Sequence, residues 1–208
     1  FVERAKLTYT FYNGKQLVDI HDGLAINHRV DAHAYSVSFL NANTNPNIVL
    51  EEESIFFENY YLGDKFSWAS GVKSYKRQVQ KNIYQGIDLY LFVNDDKLKY
   101  EIYLDKSANE KAIKLRYQGL SDIKLSDGSL VINTSVNNII EYRPYAYQII
   151  AGIEVEVVCI YHLKSNILSF DFPNDYDRNY PLVIDPVLEF STYSGSTTDN
   201  FGYTATYD

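Results

Sequence analysis

The stretch Asn82–Asp105, NIYQGIDLYLFVNDDKLKYEIYLD, constrains the fold more than any other part of the chain. Ile87, Leu89, Leu91 and Val93 alternate with Asp88, Tyr90 and Phe92. After the polar break Asn94-Asp95-Asp96, Leu98, Tyr100, Ile102 and Leu104 alternate with Lys99, Glu101 and Tyr103. Period-two spacing on both sides of a short Asn/Asp loop is what two antiparallel strands with one buried face require. A helix would need its apolar residues three and four apart, and no stretch offers a convincing pattern of that kind.

The rest of the chain reads the same way. Ala5–Tyr12 is a strand, Asn13-Gly14 a hairpin turn because both residues tolerate positive φ, and Gln16–His21 the returning strand. Ala34–Leu40 places Tyr35, Val37 and Phe39 inward, and Asn41–Asn47 is a loop by composition. Tyr60–Tyr75 is the least regular part, with Trp68 near two glycines and Asp64 as a turn residue; it reads as a loop packed over a sheet end. Lys106–Lys111 is a polar connection of at most one helical turn. Ile123–Ile132 folds back at Ser126-Asp127-Gly128-Ser129, and Tyr145–Ile150 and Ile153–Leu163 flank Ala151-Gly152 as a third hairpin. Asn137-Asn138 is a break, Asn166–Phe172 alternates again, and Leu182–Ile184 is a short strand closed by Asp185-Pro186. Short strands with frequent turns predict an all-β, antiparallel β-sandwich with short loops. It spans residues 1–186, with room for two sub-sheets and a break near 60–80. The 20 Tyr and 11 Phe support this, because their rings pack well on pleated surfaces.

Charge and composition exclude several function classes. A net charge of −8 repels phosphate backbones, and Lys73, Lys76, Arg77 and Lys81 read as a solvated face, so no nucleic acid is expected. No apolar run approaches the roughly 18 residues of a membrane span, so no membrane insertion is expected either. A lone Cys159 precludes an intrachain disulfide framework. The chain begins at Phe1 and contains no Met, which reads as an internal piece of something larger.

Chemistry-bearing constellations are sparse. Asp175, Asp177 and Asn179 have the spacing of the opening of a calcium loop, but Tyr180 stands where the glycine belongs and Pro186 where the bidentate Glu belongs. An Asx-rich turn is the better reading. His21, His28, His33 and His162 lack ligand partners at zinc spacing, Gly-x-Ser-x-Gly is absent, and Cys159 sits mid-strand as a small buried hydrophobe. No catalytic residue, metal or cofactor is assigned. Asp88, just after Gly86, is expected to make a structural hydrogen bond, capping the Tyr84–Gly86 turn or pairing with Arg116 or Lys99. Asp185 is expected to organise the exit from the domain. Trp68, Tyr60 and Tyr61 are the candidates for an exposed aromatic binding site; stacking on sugar rings would require two or three coplanar exposed rings with polar groups beside them.

The ordered set NIYQGIDLYLF, LKYEIYLD, IKLRYQGL, EYRPYAYQ and NYPLVIDP resembles an uncharacterised β-rich domain of large bacterial surface and secreted proteins. There it usually precedes SBBP repeats of the seven-bladed β-propeller type. LEFSTYSGSTTDNFGYTATYD, residues 187–208 with their leading Val, resembles the beginning of one such propeller-type repeat. The resemblance implies an extracellular or cell-surface, non-enzymatic interaction or adhesion module, packed against downstream propeller repeats of the same chain. Bacteroidetes-type members often carry a type IX secretion signal. A carbohydrate-binding domain contacting glycan is the alternative, and a glycoside-active enzyme the remote one.

Overall fold

The computed structural model describes residues 1–94, 97–186 and 188–191. In chain order the elements are β1 (Val2–Glu3), β2 (Lys6–Tyr12), α1 (Gly14–His21), β3 (Ala32–Phe39), β4 (Asn47–Tyr60), β5 (Ala69–Tyr84), β6 (Ile87–Asn94), β7 (Lys97–Leu104) and β8 (Leu115–Gln118). They continue with β9 (Asp122–Ser126), β10 (Ser129–Asn133), β11 (Asn138–Glu141), β12 (Tyr145–Ile150), β13 (Ile153–Val157), β14 (Ile160–Lys164), β15 (Ile167–Asp171), β16 (Leu182–Asp185) and β17 (Leu188–Ser191). Single 3-10 turns lie at Lys65–Ser67 and Glu110–Ala112.

Three antiparallel sheets form, with no closed barrel among the described residues: an all-β sandwich with a third sheet added. The first runs β1-β2-β3-β8-β15-β14, the second β13-β12-β16-β7-β6-β5-β4, and the third β17-β11-β10-β9. Alternation drives the layering. Leu7, Tyr35, Val37, Leu115 and Tyr117 from the first sheet meet Leu89, Leu91, Ile102, Leu104 and Ile184 from the second in one core. Leu130, Ile132 and Ile139 close it from the third. The β6–β7 hairpin lies inside the second sheet, between β5 and β16, with Ile87↔Leu104, Leu89↔Ile102 and Leu91↔Tyr100 as facing pairs. Val93 is the exception to its buried face, being exposed at the hairpin end. Asp95 and Asp96 lie outside the described residues, as do most of 187–208, where the propeller-type repeat is expected.

Four sequence expectations need correction. Asn13-Gly14 is not a hairpin turn, nor Gln16–His21 a strand: Asn13 caps α1, its side chain accepting from Gln16 N. Asn serves turns and helix starts alike, and the i,i+4 pair Lys15–Asp19 at 2.7 Å supports the helix. Tyr60–Tyr75 is not a loop over a sheet end but the outer part of a long β4–β5 hairpin, which also runs through the expected break near 60–80. Ile153–Leu163 is two strands: β13 pairs with β12 in the second sheet and β14 with β15 in the first. The chain crosses between sheets at Val158-Cys159, and Val157, Cys159 and Tyr161 all remain in the shared core, so their alternation is uninterrupted. Asn138 opens β11 instead of breaking the chain.

Gly119 sets how closely β8 approaches β3. Its φ is +90°, and a Cβ there would lie 3.0 Å from the Ala34 carbonyl oxygen. Gly119→Ala is expected to cost about 1–3 kcal/mol through strain and collision, read as a lowered denaturation midpoint. A change of a few tenths of a kcal/mol would mean that the approach is loose.

Candidate functional site

The second sheet ends in an arm. Near the sheet β4 and β5 pair regularly, from Asn47↔Lys81 to Glu53↔Tyr75. Pairing resumes at Phe57↔Lys73, so β4 advances four residues (53 to 57) while β5 advances two (75 to 73). The surplus forms a bulge that pushes Ile55 and Phe56 outward, with Glu52 at positive φ before it and Phe56 N donating to Ser54 Oγ at 3.1 Å. Beyond it every residue from 55 to 76 is exposed. Asp64 caps the 3-10 turn at the tip by accepting from Phe66 N at 2.9 Å, and Asn59 Oδ1 accepts from Gly71 N at 2.9 Å. Ion pairs mark the base: Lys73–Glu53 at 3.0 Å, and Arg77 with Glu51 and Glu52 at 3.6 and 3.7 Å. Together with Lys81, which pairs with Asp88, these cations are matched by carboxylates and do not form a basic patch.

The three aromatic candidates sit on this arm and are exposed. Trp68 and Tyr61 meet edge to face, with centroids 5.2 Å apart and planes at 69°, and Lys65 Nζ lies 5.9 Å from the Trp68 ring centroid. Tyr60 turns its hydroxyl to Glu58. The rings do not form the flat platform that sugar stacking asks for. Around them Phe66 is wholly exposed, Ile55 is 86% exposed and Phe56 73%.

The side chains at the calcium-like spacing bond within the chain. Asp175 pairs with Arg178 at 3.3 Å, while Asp177 Oδ1 accepts from Asn179 N and Nδ2 at 2.9 and 2.8 Å. Arg178 reaches back to Glu110 with two bonds of 2.9 and 3.1 Å and lies 4.6 Å from the Tyr176 ring centroid. Gln148, buried in the second sheet, donates to the carbonyls of Asp177, Tyr180 and Pro181 and accepts from Asp177 N. This loop is a latch; among the described residues no group of three or more His, Cys, Asp or Glu is placed to hold a metal.

Asp88 makes the structural bonds expected of it, with different partners. Its Oδ1 accepts from Asn82 N at 2.7 Å and its Oδ2 pairs with Lys81 at 2.8 Å, neither Arg116 nor Lys99 being involved. That bond raises the Lys81 pKa. Gly86, at φ +71°, donates to Asn82 Oδ1 at 3.2 Å and accepts from Asp105 N at 2.8 Å, closing the entry to the hairpin. Asp185 faces outward beside Glu101, and burial raises both carboxyl pKa values. Burial likewise pushes the Cys159 thiol up to about 12, which leaves it protonated and unreactive.

Two constellations escaped the sequence because their members are far apart in the chain. Glu141, fully within the core, accepts from Tyr161 at 2.6 Å and Tyr100 at 3.2 Å on Oε1, and from Tyr117 at 3.5 Å on Oε2. Burial raises its pKa against these three hydroxyls, which lower it. The other is His33, whose Nε2 lies 2.6 Å from the Gly119 carbonyl and whose Nδ1 lies 2.9 Å from Ser135 Oγ. Ser135 N donates to the same Nδ1, and Thr134 Oγ1 takes the Val136 and Asn137 amides. The backbone donors that could stabilise an oxyanion beside Ser135 are therefore already engaged, and the trio fastens the 134–137 turn to β3.

A family model described as a domain of unknown function (DUF7948) matches residues 1–187. Searches of curated proteins and of solved structures found no match.

Proposed function

We propose, for a chain that belongs to the DUF7948 family, the role of a non-enzymatic interaction module in a larger secreted or cell-surface bacterial protein, engaging its partner through the β4–β5 arm. One observation carries this reading: residues 55–76 are exposed throughout and hold Phe56, Phe57, Tyr61, Phe66 and Trp68. A two-stranded ribbon without a packed face is marginal in water, and contiguous exposed apolar surface marks contact sites. With about 150–250 Å² per large aromatic, scaled by their exposure, these five rings offer on the order of 700 Å² of coverable surface, close to the roughly 800 Å² per partner of a standard interface.

The partner's chemistry follows from the edge. β4 is the last strand of its sheet, so its outer edge has no strand partner among the described residues. Hydrocarbon would leave the backbone groups of that edge unsatisfied, whereas a protein surface supplies hydrogen bonds along with apolar contact. The resemblance to domains that precede propeller repeats supports an adjoining module of the same polypeptide as that surface. No helix among the described residues is long and apolar enough to cross a bilayer.

Hydrogen exchange tests the proposal. Amides of 54–76 are expected to exchange at least tenfold more slowly in the full-length native protein than in the isolated domain. Phe56→Asp with Phe66→Asp should remove that protection and leave the melting of the isolated domain unchanged. Equal exchange of the arm in both contexts would refute the reading.

A further inference from the structure

The outer face of the first sheet gathers positive charge in a chain whose net charge is −8. Leu7, Val37, Leu115, Tyr161 and Leu168 are buried in the core, so the residues that alternate with them along each strand point away from it. Pairing sets Lys6, Ser38, Arg116, Ile167 and Lys164 in one row across β2, β3, β8, β15 and β14. Cations occupy every second strand of that row, about 10 Å apart, and the row runs four strand spacings, about 19 Å. Beside it His162 stands opposite Ser169, and Lys114 lies directly ahead of β8.

Two hollows open on this face. One, of about 380 Å³, is lined by Lys114, His162, Lys164, Ser165, Ile167 and Ser169. The other, of about 400 Å³, has Lys6, Thr8, Ser36 and Gln118 in its wall. No carboxylate among the described residues lines either. The strands of this sheet carry two acidic residues, Glu3 and Asp171. Glu3 lies at the margin and is engaged by Lys6 at 2.8 Å, and Asp171 ends β15 beyond Ser169. Lys114, Arg116 and Lys164 form no ion pair among the described residues, whereas Lys73, Arg77, Lys81 and Arg178 each sit against a carboxylate. Cations grouped without counter-charge focus their field and concentrate anions from solution.

We propose that this face binds an acidic polysaccharide, its carboxylate or sulfate groups held by Lys114, Arg116 and Lys164 and its hydroxyls bonded by Ser36, Ser38, Ser169 and Gln118. The side chains between the cations decide the class of polyanion. They are hydroxyls and an amide, which donate and accept as sugar hydroxyls do. An acidic protein would be anchored by aromatic or aliphatic groups in a desolvated centre, and Ile167 is the one apolar side chain of the row. A single-stranded nucleic acid asks for rings on which its bases stack, and none stands among these cations. Duplex DNA carries a charge about every 1.7 Å of its axis, far denser than the cations here. Their wide spacing suits a polymer whose acidic groups are set apart by neutral units. The site lies on the sheet that lacks the arm, so it stands independently of the contact proposed for Phe56 and Phe66.

The test is affinity electrophoresis of the chain in gels containing polygalacturonate, alginate or chondroitin sulfate, with hydroxyethyl cellulose and poly-glutamate as controls. A protein of net charge −8 is repelled by a polyanion unless a local site holds it, so retardation would not reflect bulk charge. At least one acidic polysaccharide should retard the chain, and salt at about 0.5 M should release it. The uronate and sulfate gels then tell which acidic group is held. Lys114→Glu with Lys164→Glu should weaken the retardation at least tenfold. The arm pair Lys65→Glu with Lys76→Glu makes the same change in net charge and should match the parent, both variants being checked by thermal melting. Amide chemical-shift changes with the retarding polymer should centre on β8, β14 and β15, a map that stands even if the first variant fails to fold. No retardation by any acidic polysaccharide, equal retardation by hydroxyethyl cellulose or poly-glutamate, or shifts centred elsewhere would overturn the proposal.

Discussion

Glu141→Ala is expected to lower the stability of the domain by about 3–5 kcal/mol. The substitution opens a cavity where three sheets meet and strips the hydroxyls of Tyr100, Tyr117 and Tyr161 of their shared acceptor. Each stranded hydroxyl costs about 1–3 kcal/mol unless water enters. Glu141→Gln should behave differently, staying within about 1 kcal/mol of the parent near neutral pH, because it keeps an acceptor and removes a buried charge. The pH dependence separates the two. Burial raises the Glu141 pKa in the fold, so its contribution is fully present below the unfolded carboxyl value and is lost as pH rises through the folded value. Urea denaturation across that window should show a decline with pH in the parent that Glu141→Gln lacks. If Gln proves as damaging as Ala, the ionised carboxylate itself is what the core requires.

Arg178→Ala is expected to cost about 2–3 kcal/mol, below the full value for a broken buried pair because Arg178 is itself half exposed. The loss falls on Glu110, whose side chain is only 8% exposed and which would keep the bond from the Tyr176 hydroxyl at 3.2 Å but no cation. The sign is opposite to that of Glu141. The hydrogen bonds from Arg178 lower the Glu110 pKa, so its contribution is present above the unfolded carboxyl value and is lost as pH falls through the folded value. Denaturation at neutral and acidic pH should show the parent and Arg178→Ala converging as Glu110 protonates. Adding Glu110→Gln should restore part of the loss. A deficit below about 0.5 kcal/mol at neutral pH would reduce the pair to an ordinary surface contact.

What the sequence disclosed depended on how local the determining physics was. The β6–β7 hairpin was legible because its spacing and turn lie within one short stretch. Ile153–Leu163 was half legible: alternation placed Val157, Cys159 and Tyr161 in the core, but it also put the exposed Val155 on their face and did not show that the chain changes sheets. The α1 helix was hidden because Asn13 suits a turn as well as a cap, and the decisive Lys15–Asp19 spacing is a weak signal. The arm was misread because Tyr60–Tyr75, with Trp68 near two glycines, shows no regular alternation, and the hairpin it belongs to depends on the register of β4 with β5. The Glu141 and Glu110 carboxylates bond to side chains 20 to 68 residues away, which no spacing rule reaches. A lone Glu in the apolar run Ile139-Ile140-Glu141-Tyr142 was the one hint of the first.

The passage from β16 to β17 has a mechanical consequence. Among the described residues β17 lies at the edge of the third sheet, paired along one side to β11 from Asn138↔Ser191 to Glu141↔Leu188. A pull that peels it away loads those pairs one after another, beginning at Ser191, and each yields at low force. β16 is held on both sides, by β7 and by β12. Tension along that strand strains both ladders at once, and they must break together. Load arriving through β17 therefore meets a compliant link first and a stiff anchor second, so the edge strand can yield while the sandwich remains intact.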